Sequence, residues 1–222
     1  MKKIAVIVAA GSGSRMNSPV PKQFLEINNK PLLFYTIDAF LKAYKDLSVI
    51  LVLSKEHIDQ GENIIDLYFD RSRIRICEGG KTRFQSVKNG LSNINEECII
   101  FVHDGVRCLL TGDLIHRCYE CAAELGSAIP VINSKDSVRL LTRNASKAVN
   151  RSEIKLVQTP QTFHSKILLA AFKVNFKERF TDEATVVEDF GLKINLVDGE
   201  ENNIKITTPE DLSFAVSKLG KQ

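Results

Sequence analysis

The chain has 222 residues, 44% of them hydrophobic and 26% charged, with a formal net charge of +3 at pH 7. That is enough apolar material for the core of one large α/β domain, and the charge is too mild for a nucleic-acid footprint. No apolar run approaches the ~20 residues of a membrane helix. The short apolar opening follows Lys2 and Lys3 and lacks a signal-peptide cleavage region, so no membrane contact and a cytoplasmic location are expected.

Lys3 to Ala9, small and β-branched without a break from Ile4 on, reads as a strand buried on both faces. It empties into Ala10-Gly11-Ser12-Gly13-Ser14-Arg15-Met16, with Lys22 a few residues on. Glycine backbone after a buried strand can turn its N–H groups toward an anion. Arg15 and Lys22 beside it point to several negative charges, as on a polyphosphate. The loop fits neither common glycine fingerprint. Met16 stands where both G-x-x-x-x-G-K-[ST] and G-x-G-x-x-G need glycine.

Helical spacing follows over Pro31–Leu41, a buried strand over Leu47–Leu53, a helix over His57–Phe69 and a strand over Arg73–Glu78. Gly79-Gly80-Lys81-Thr82-Arg83 is a second glycine loop, opening onto a helix over Phe84–Leu91. Cys98–Val102 is a strand that runs into His103-Asp104-Gly105-Val106-Arg107. A helix over Thr111–Leu125 and a strand over Ser127–Ile132 complete the series. Alternating strands and helices predict an α/β, Rossmann-like fold: a mostly parallel, doubly wound sheet flanked by helices. Such sheets bind ligands at the carboxyl ends of their strands. Those ends carry the first glycine loop, the Gly79-Gly80 loop and the Asp104/Arg107 pair, which are expected to converge on one edge.

The alternation breaks between Ser134 and Pro160. Ser137–Leu141 and Lys147–Val149 flank a polar turn and read as a hairpin or protruding β-arm, closed by Thr159-Pro160-Gln161. A short hairpin is marginal alone, so exchange of arms between two protomers about a two-fold axis is expected. A helix follows over Ser165–Asn175. Thr181 is placed to cap a helix starting Thr181-Asp182-Glu183-Ala184. Ile194–Val197 reads as a strand and Asn203–Ile206 as a short extended piece. Thr208 caps the last helix, with Pro209 in its first position. With no repeat, linker or low-complexity tract, residues 1–222 read as a single domain, the arm spanning about 137–158.

The five cysteines are an odd, scattered count that argues against a disulfide framework. Cys118 and Cys121 form a lone C-x-x-C in a helical pattern, without a second pair or a histidine cluster, and read as small apolar residues on one helix face.

The pieces GSGSRMNSPVPKQF, GGKTRFQS, VHDGVR, VNRSEIKLVQTPQTF, FTDEA and ENNIKITTPEDL, in this order and spacing, resemble the 2-C-methyl-D-erythritol 4-phosphate cytidylyltransferase family across essentially the whole chain. The pentitol-phosphate cytidylyltransferases are its near relatives and the alternative reading. A non-catalytic nucleotide-binding module is a further one, but it would be expected to lack Arg15, Lys22 or Lys205. The resemblance implies attack of a sugar-alcohol phosphate on the α-phosphorus of CTP, with release of pyrophosphate, in non-mevalonate isoprenoid precursor biosynthesis. It implies that Arg15, Lys22 and Lys205 are catalytic: Arg15 and Lys22 on the triphosphate, Lys205 on the α-phosphate from the opposite side. CTP would also meet Ala9, Ala10, Gly11 and Gly13, and its cytosine Gly80 and Ser86. Asp104 would lie near the ribose, the second substrate and a Mg2+ ion held mostly by the CTP phosphates. Asp104, Arg107, Ser137, Thr159, Thr181 and Lys205 match positions near the second substrate. Arg151, on the arm, matches the residue that grips its phosphate from the other subunit of a homodimer. Gly105-Val106, Cys108, Ser137 and Asn150 depart from the residues usual in the family, but every cation is in place.

The residues agree with that chemistry. A phosphate monoester has a second pKa near 6 and is largely a dianion at neutral pH. It needs no general base, only positioning and cancellation of charge.

Overall fold

The computed structural model describes residues 1–11, 20–143 and 145–220. Strand β1 (Lys2–Val8) opens the chain, and a small ladder of β2 (Glu26–Ile27) with β3 (Lys30–Pro31) leads into helix α1 (Leu32–Ala43). Then come β4 (Leu47–Leu53), α2 (Ile58–Tyr68), β5 (Ile74–Glu78), α3 (Arg83–Leu91), β6 (Cys98–Asp104), α4 (Gly112–Leu125) and β7 (Ser127–Asn133). The second half holds β8 (Val138–Leu141), β9 (Ser146–Val149), β10 (Lys155–Val157), β11 (Gln161–His164), α5 (Ser165–Ala171), α6 (Glu183–Asp189), β12 (Leu196–Asp198) and α7 (Pro209–Leu219).

The main sheet has the order β10-β7-β11-β6-β1-β4-β5, with β12 also paired to β7. β1, β4, β5 and β6 run parallel, as the largely apolar sequences of β1, β4 and β6 lead one to expect. Alternate residues of each strand face opposite layers. Ala5, Ile7, Val49, Leu51 and Phe101 meet α1, α2 and α4, while Ile4, Val6, Ile50, Val52 and Val102 meet α3, α5 and α6. Burying a phenylalanine such as Phe40, Phe101 or Phe163, each fully inside, contributes roughly 1.5–3 kcal/mol. A smaller apolar cluster seats α7 against Val106, Cys108 and Leu109.

The register explains why the loops meet. Val8 is level with Val52 and Asp104, and Leu53 with Glu78, so these strands end together at one edge.

Several expectations need correcting. β11 lies antiparallel between β6 and β7, where the sequence suggests only the close of an arm. Helix α5 ends at Ala171, short of Asn175. The strand near residue 196 starts and ends later than expected, and residues 203–206 join no sheet. The cap of α6 is Asp182, not Thr181. The Asp182 carboxylate accepts the Thr185 N–H at 2.9 Å and the Thr185 hydroxyl accepts the Asp182 N–H at 3.3 Å. The hairpin expectation holds: β8 pairs antiparallel with β9. Thr208 caps α7 and Pro209 opens it. Cys118 packs in the core, Cys121 is half-buried, and both are free thiols.

Candidate active site

At the carboxyl edge a cavity of about 510 Å3 opens between the first glycine loop, the start of α3, the end of β6 and the 205–207 segment. Each wall follows from local sequence. The backbone carries on past the strands in ladder fashion: Ala9 N–H donates to Val52 O at 2.8 Å, Gly79 N–H to Leu53 O at 2.7 Å and Gly105 N–H to Val8 O at 2.9 Å. These loops close on one another only because two residues lack a Cβ. A methyl at Gly79 would stand 2.5 Å from Ala10 Cβ, and one at Gly105 would stand 2.8 Å from Ala9 Cβ.

Lys22 begins a short 3-10 turn, and its Nζ donates to Ile206 O at 3.2 Å. Its neighbour Gln23 is buried and donates from Nε2 to Ala9 O at 2.9 Å and to Gly11 O at 3.4 Å. Gln23 thus fixes the exit of β1. Thr82 caps α3 through the Gln85 N–H, as expected of a β-region threonine before a helix. Ser86 is buried beneath the Gly79-Gly80 loop. Its Oγ accepts the Gly80 N–H at 3.0 Å and donates to Thr82 O at 3.0 Å.

Asp104 is the electrostatic centre. Its Oδ1 lies 3.3 Å from Arg83 Nε, and its Oδ2 lies 3.3 Å from Arg107 Nε and 3.1 Å from Lys205 Nζ. Burial alone would raise its pKa, but Arg83, Lys205 and Arg107 outweigh it and hold the carboxyl far below the usual range. Arg83 also grips Glu183, with Nη1 to Oε1 at 2.5 Å and Nη2 to Oε2 at 3.1 Å. Burial works against the charge of Arg83, yet both carboxylates keep it firmly protonated. Burial pushes the Glu183 carboxyl up, against the pull of Arg83.

A neutral chain of hydrogen bonds supports this cluster from behind. His103 is fully buried, and its Nε2 lies 3.3 Å from Arg107 O, which can only accept. Nε2 therefore carries the proton, and Nδ1 accepts from the Thr159 hydroxyl at 2.9 Å. Thr159 Oγ1 in turn accepts the Asp104 N–H at 3.1 Å. Asn203 Nδ2 donates to Thr159 O, and Arg107 Nη1 to Asn203 O, each at 2.8 Å. Burial lowers the His103 pKa to about 3, so the ring is neutral at physiological pH. With both nitrogens engaged it is a structural group.

A second cavity of about 220 Å3 lies on the other side of Asp104 and Lys205, lined also by Arg107, Thr159, Thr181 and Asp182. Arg83, Asp104 and Lys205 face both cavities. The expected site residues therefore divide cleanly. Ala9, Ala10, Gly11, Lys22, Gly80, Ser86, Asp104 and Lys205 line the larger cavity, and Asp104, Arg107, Thr159, Thr181 and Lys205 the smaller. Ser137 and Arg151 line neither; both are exposed beside the hairpin, where Arg151 Nη1 donates to Lys135 O at 3.1 Å. Gly13 and Arg15 lie outside the described residues. Arg83, Glu183 and Gln23 escape the sequence reading. For Gln23 the usable signal is its place in Pro-Lys-Gln-Phe beside a phosphate-loop lysine.

Among the described residues no group of three or more His, Cys, Asp or Glu could hold a metal ion by itself. Asp104 is the one carboxylate among the described residues that line the larger cavity.

The sequence model of the 2-C-methyl-D-erythritol 4-phosphate cytidylyltransferase family matches residues 3–221. The chain belongs to that family. It is 43% identical over 219 residues to the 2-C-methyl-D-erythritol 4-phosphate cytidylyltransferase of Bacteroides thetaiotaomicron, covering 99% of this chain and 100% of that one. It is 44% identical over 220 residues to the enzyme of the same name from Bacteroides fragilis, with the same coverage. The crystal structure of 4-diphosphocytidyl-2C-methyl-D-erythritol synthase from Anaerococcus prevotii superposes with a TM-score of 0.84 at 30% identity, covering 99% of this chain and 98% of that one. The chain is accordingly a cytidylyltransferase with a Rossmann-like nucleotidyltransferase fold, and the paired cavities described above are the candidate active site of a family member.

Proposed function

We propose that the larger cavity binds CTP, the smaller binds 2-C-methyl-D-erythritol 4-phosphate, and the enzyme joins them to give 4-diphosphocytidyl-2-C-methyl-D-erythritol and pyrophosphate. The observation that carries this reading is the wall of Arg83, Asp104 and Lys205 common to the two cavities. A phosphate oxygen of the second substrate attacks the α-phosphorus across that wall. The bond from the α-phosphorus to the bridging oxygen breaks, and the electron pair leaves with pyrophosphate. No proton moves, which suits a site whose one fully buried histidine is neutral and saturated. Lys205 meets the α-phosphate at the wall, while Lys22 and Arg15 meet the triphosphate from the loop side. Ala9, Ala10, Gly11 and Gly13 offer backbone to the nucleotide. Gly80 presents backbone to the cytosine edge, and Ser86 stiffens that turn. Arg107, Thr159 and Thr181 hold the polyol. Asp104 and the triphosphate would hold Mg2+, which when bound neutralises phosphate charge.

The same reading makes the enzyme a homodimer. Among the described residues β8 and β9 pair only with each other, and Leu140 and Leu141 are 59% and 79% exposed. A marginal hairpin with such side chains needs a covering surface. An exchanged arm would supply it and bring Ser137 and Arg151 to the smaller cavity of the partner. The chain then acts as one domain over 1–222; of the expected arm at about 137–158, the hairpin of β8 and β9 protrudes, while β10 pairs with β7 as an edge of the main sheet. It works on small molecules in the cytoplasm, without membrane or nucleic-acid partners; no described helix is long and apolar enough to cross a membrane.

Pyrophosphate release with CTP and Mg2+ tests the reading. Methylerythritol phosphate is expected to support turnover well above ribitol phosphate or sugar 1-phosphates. Faster turnover with ribitol phosphate would reassign the second substrate.

A further inference from the structure

Arg83 stands between the two cavities and touches both buried carboxylates. An arginine facing a single carboxylate commonly takes both of its oxygens with paired N–H groups. Arg83 does not do so with Asp104. Glu183, only 1% exposed, holds both terminal nitrogens, and Arg83 reaches Asp104 Oδ1 through Nε alone. Asp104 Oδ2 is thereby left to Arg107 and Lys205. Glu183 itself lines neither substrate cavity. Nor does it hold the start of α6. That end is fixed by the Asp182–Thr185 cap and by Gln161, which accepts the Ala184 N–H at 2.8 Å and donates to Asp182 Oδ2 at 2.9 Å. A buried ion pair is in general a weak source of stability compared with an apolar replacement.

We propose that Glu183 is a positioning residue that acts through Arg83. By occupying the guanidinium fork it confines Arg83 to Oδ1 of Asp104 and reserves Oδ2 for Lys205. Lys205 is thus held where attacking and leaving groups meet. Without Glu183, Arg83 swings onto both oxygens of Asp104, displaces Lys205, and the reacting phosphates lose their register. This rests on the reading of the shared wall as the transfer site.

The test uses the full chain and three variants: Glu183→Gln, Arg83→Gln and the double variant. Turnover is followed with CTP and methylerythritol phosphate, CTP affinity by calorimetry without the second substrate, and stability by thermal unfolding. Misplacing a group by about 1 Å costs up to about 100-fold, so Glu183→Gln is expected to lower kcat about 10- to 100-fold. CTP affinity should not fall, because the site loses a negative charge. The double variant places two amides side by side and orphans no charge. It is therefore expected to unfold at or above the temperature of the single variants and, with no guanidinium left to displace Lys205, to match the kcat of Arg83→Gln and exceed that of Glu183→Gln. Parental kcat in Glu183→Gln would overturn the proposal. So would a double variant whose kcat falls below that of Arg83→Gln by the factor that separates Glu183→Gln from the parent, because Glu183 would then act without Arg83. If Glu183→Gln does not fold, Glu183→Asp decides, because its shorter carboxylate cannot fill the guanidinium fork: lowered kcat with retained CTP affinity supports the proposal, and parental kcat overturns it. A parental protein without cytidylyltransferase activity would sink the transfer reading instead.

Discussion

Lys22 and Lys205 approach the larger cavity from separate segments, and neither is buried in the core. In the proposed reading their charges act on phosphates, so their removal should spare the fold. Lys22→Ala and Lys205→Ala are each expected to lower kcat on the order of 100-fold or more, with an unfolding temperature close to the parent. A pyrophosphate-release assay beside thermal unfolding checks both halves. The opposite pattern is expected at His103, which touches no cavity. Its folded pKa of about 3 lies below the value of about 6.5 in an unfolded chain. Between these values the unfolded chain carries a proton that the folded one lacks. The contribution of the neutral ring is therefore fully present above about pH 6.5 and declines as pH falls toward about 3, by up to about 1.4 kcal/mol per unit. A glutamine in its place can offer an N–H to Arg107 O, but its amide oxygen then does not fall at the Nδ1 position that accepts the Thr159 hydroxyl. His103→Gln should lose about 1–3 kcal/mol near neutrality and show a flatter decline below pH 6. Urea unfolding at a series of pH values measures both.

At the scale of elements, the glycine loops are interlocking parts. An alanine at position 79 meets Ala10 Cβ at 2.5 Å and Ser86 Oγ at 3.0 Å, so the β1 and β5 loops must part. Gly79→Ala is expected to destabilise by about 1–3 kcal/mol and to raise KM for CTP more than KM for the second substrate. Denaturant unfolding and steady-state kinetics test this; a raised KM for the polyol phosphate alone would contradict it. What could be read in advance divides along similar lines. β1, β4 and β6 are apolar on both faces, and nothing else in the chain competes for that pattern. β11 is four residues long, and Gln161 and Thr162 look like loop residues. They are inside only because Gln161 finds the Ala184 N–H and Asp182 across the α6 start. Asp182 outcompetes Thr181 as the α6 cap because Thr185 completes a reciprocal pair with it. That the loop before Lys22 meets Asp104 is legible because residues at strand ends converge at the carboxyl edge; that Lys205 joins them, from a segment in no sheet, is implied only by the family resemblance. The Arg83–Glu183 pair is not legible, since its partners stand 100 residues apart on two different helix starts and nothing in either local pattern names the other.

For the molecule as a whole, the proposed dimer makes each active site depend on two chains. Arg151 would serve the partner's cavity, while Lys22 and Lys205 serve their own. Arg151→Ala and Lys22→Ala protomers, each inactive alone, should regain part of the parental activity when mixed and allowed to exchange. One site of the mixed dimer would lose both cations and the other would keep both. Stable heterodimers without recovered turnover, or a fully active monomer in sedimentation, would count against the exchanged arm.

The wall common to the two cavities also bears on the end of the catalytic cycle. In the proposed reading the substrates arrive as separate molecules, each held by one cavity. The product is a single molecule anchored at both, and each end raises the effective concentration of the other at its subsite. Letting go of one end is not escape, because the tethered group returns before the other end leaves. An enzyme built in this way makes its product in a trap of its own geometry. The same bivalency makes it most vulnerable to ligands that reach across Asp104 and Lys205 as the product does.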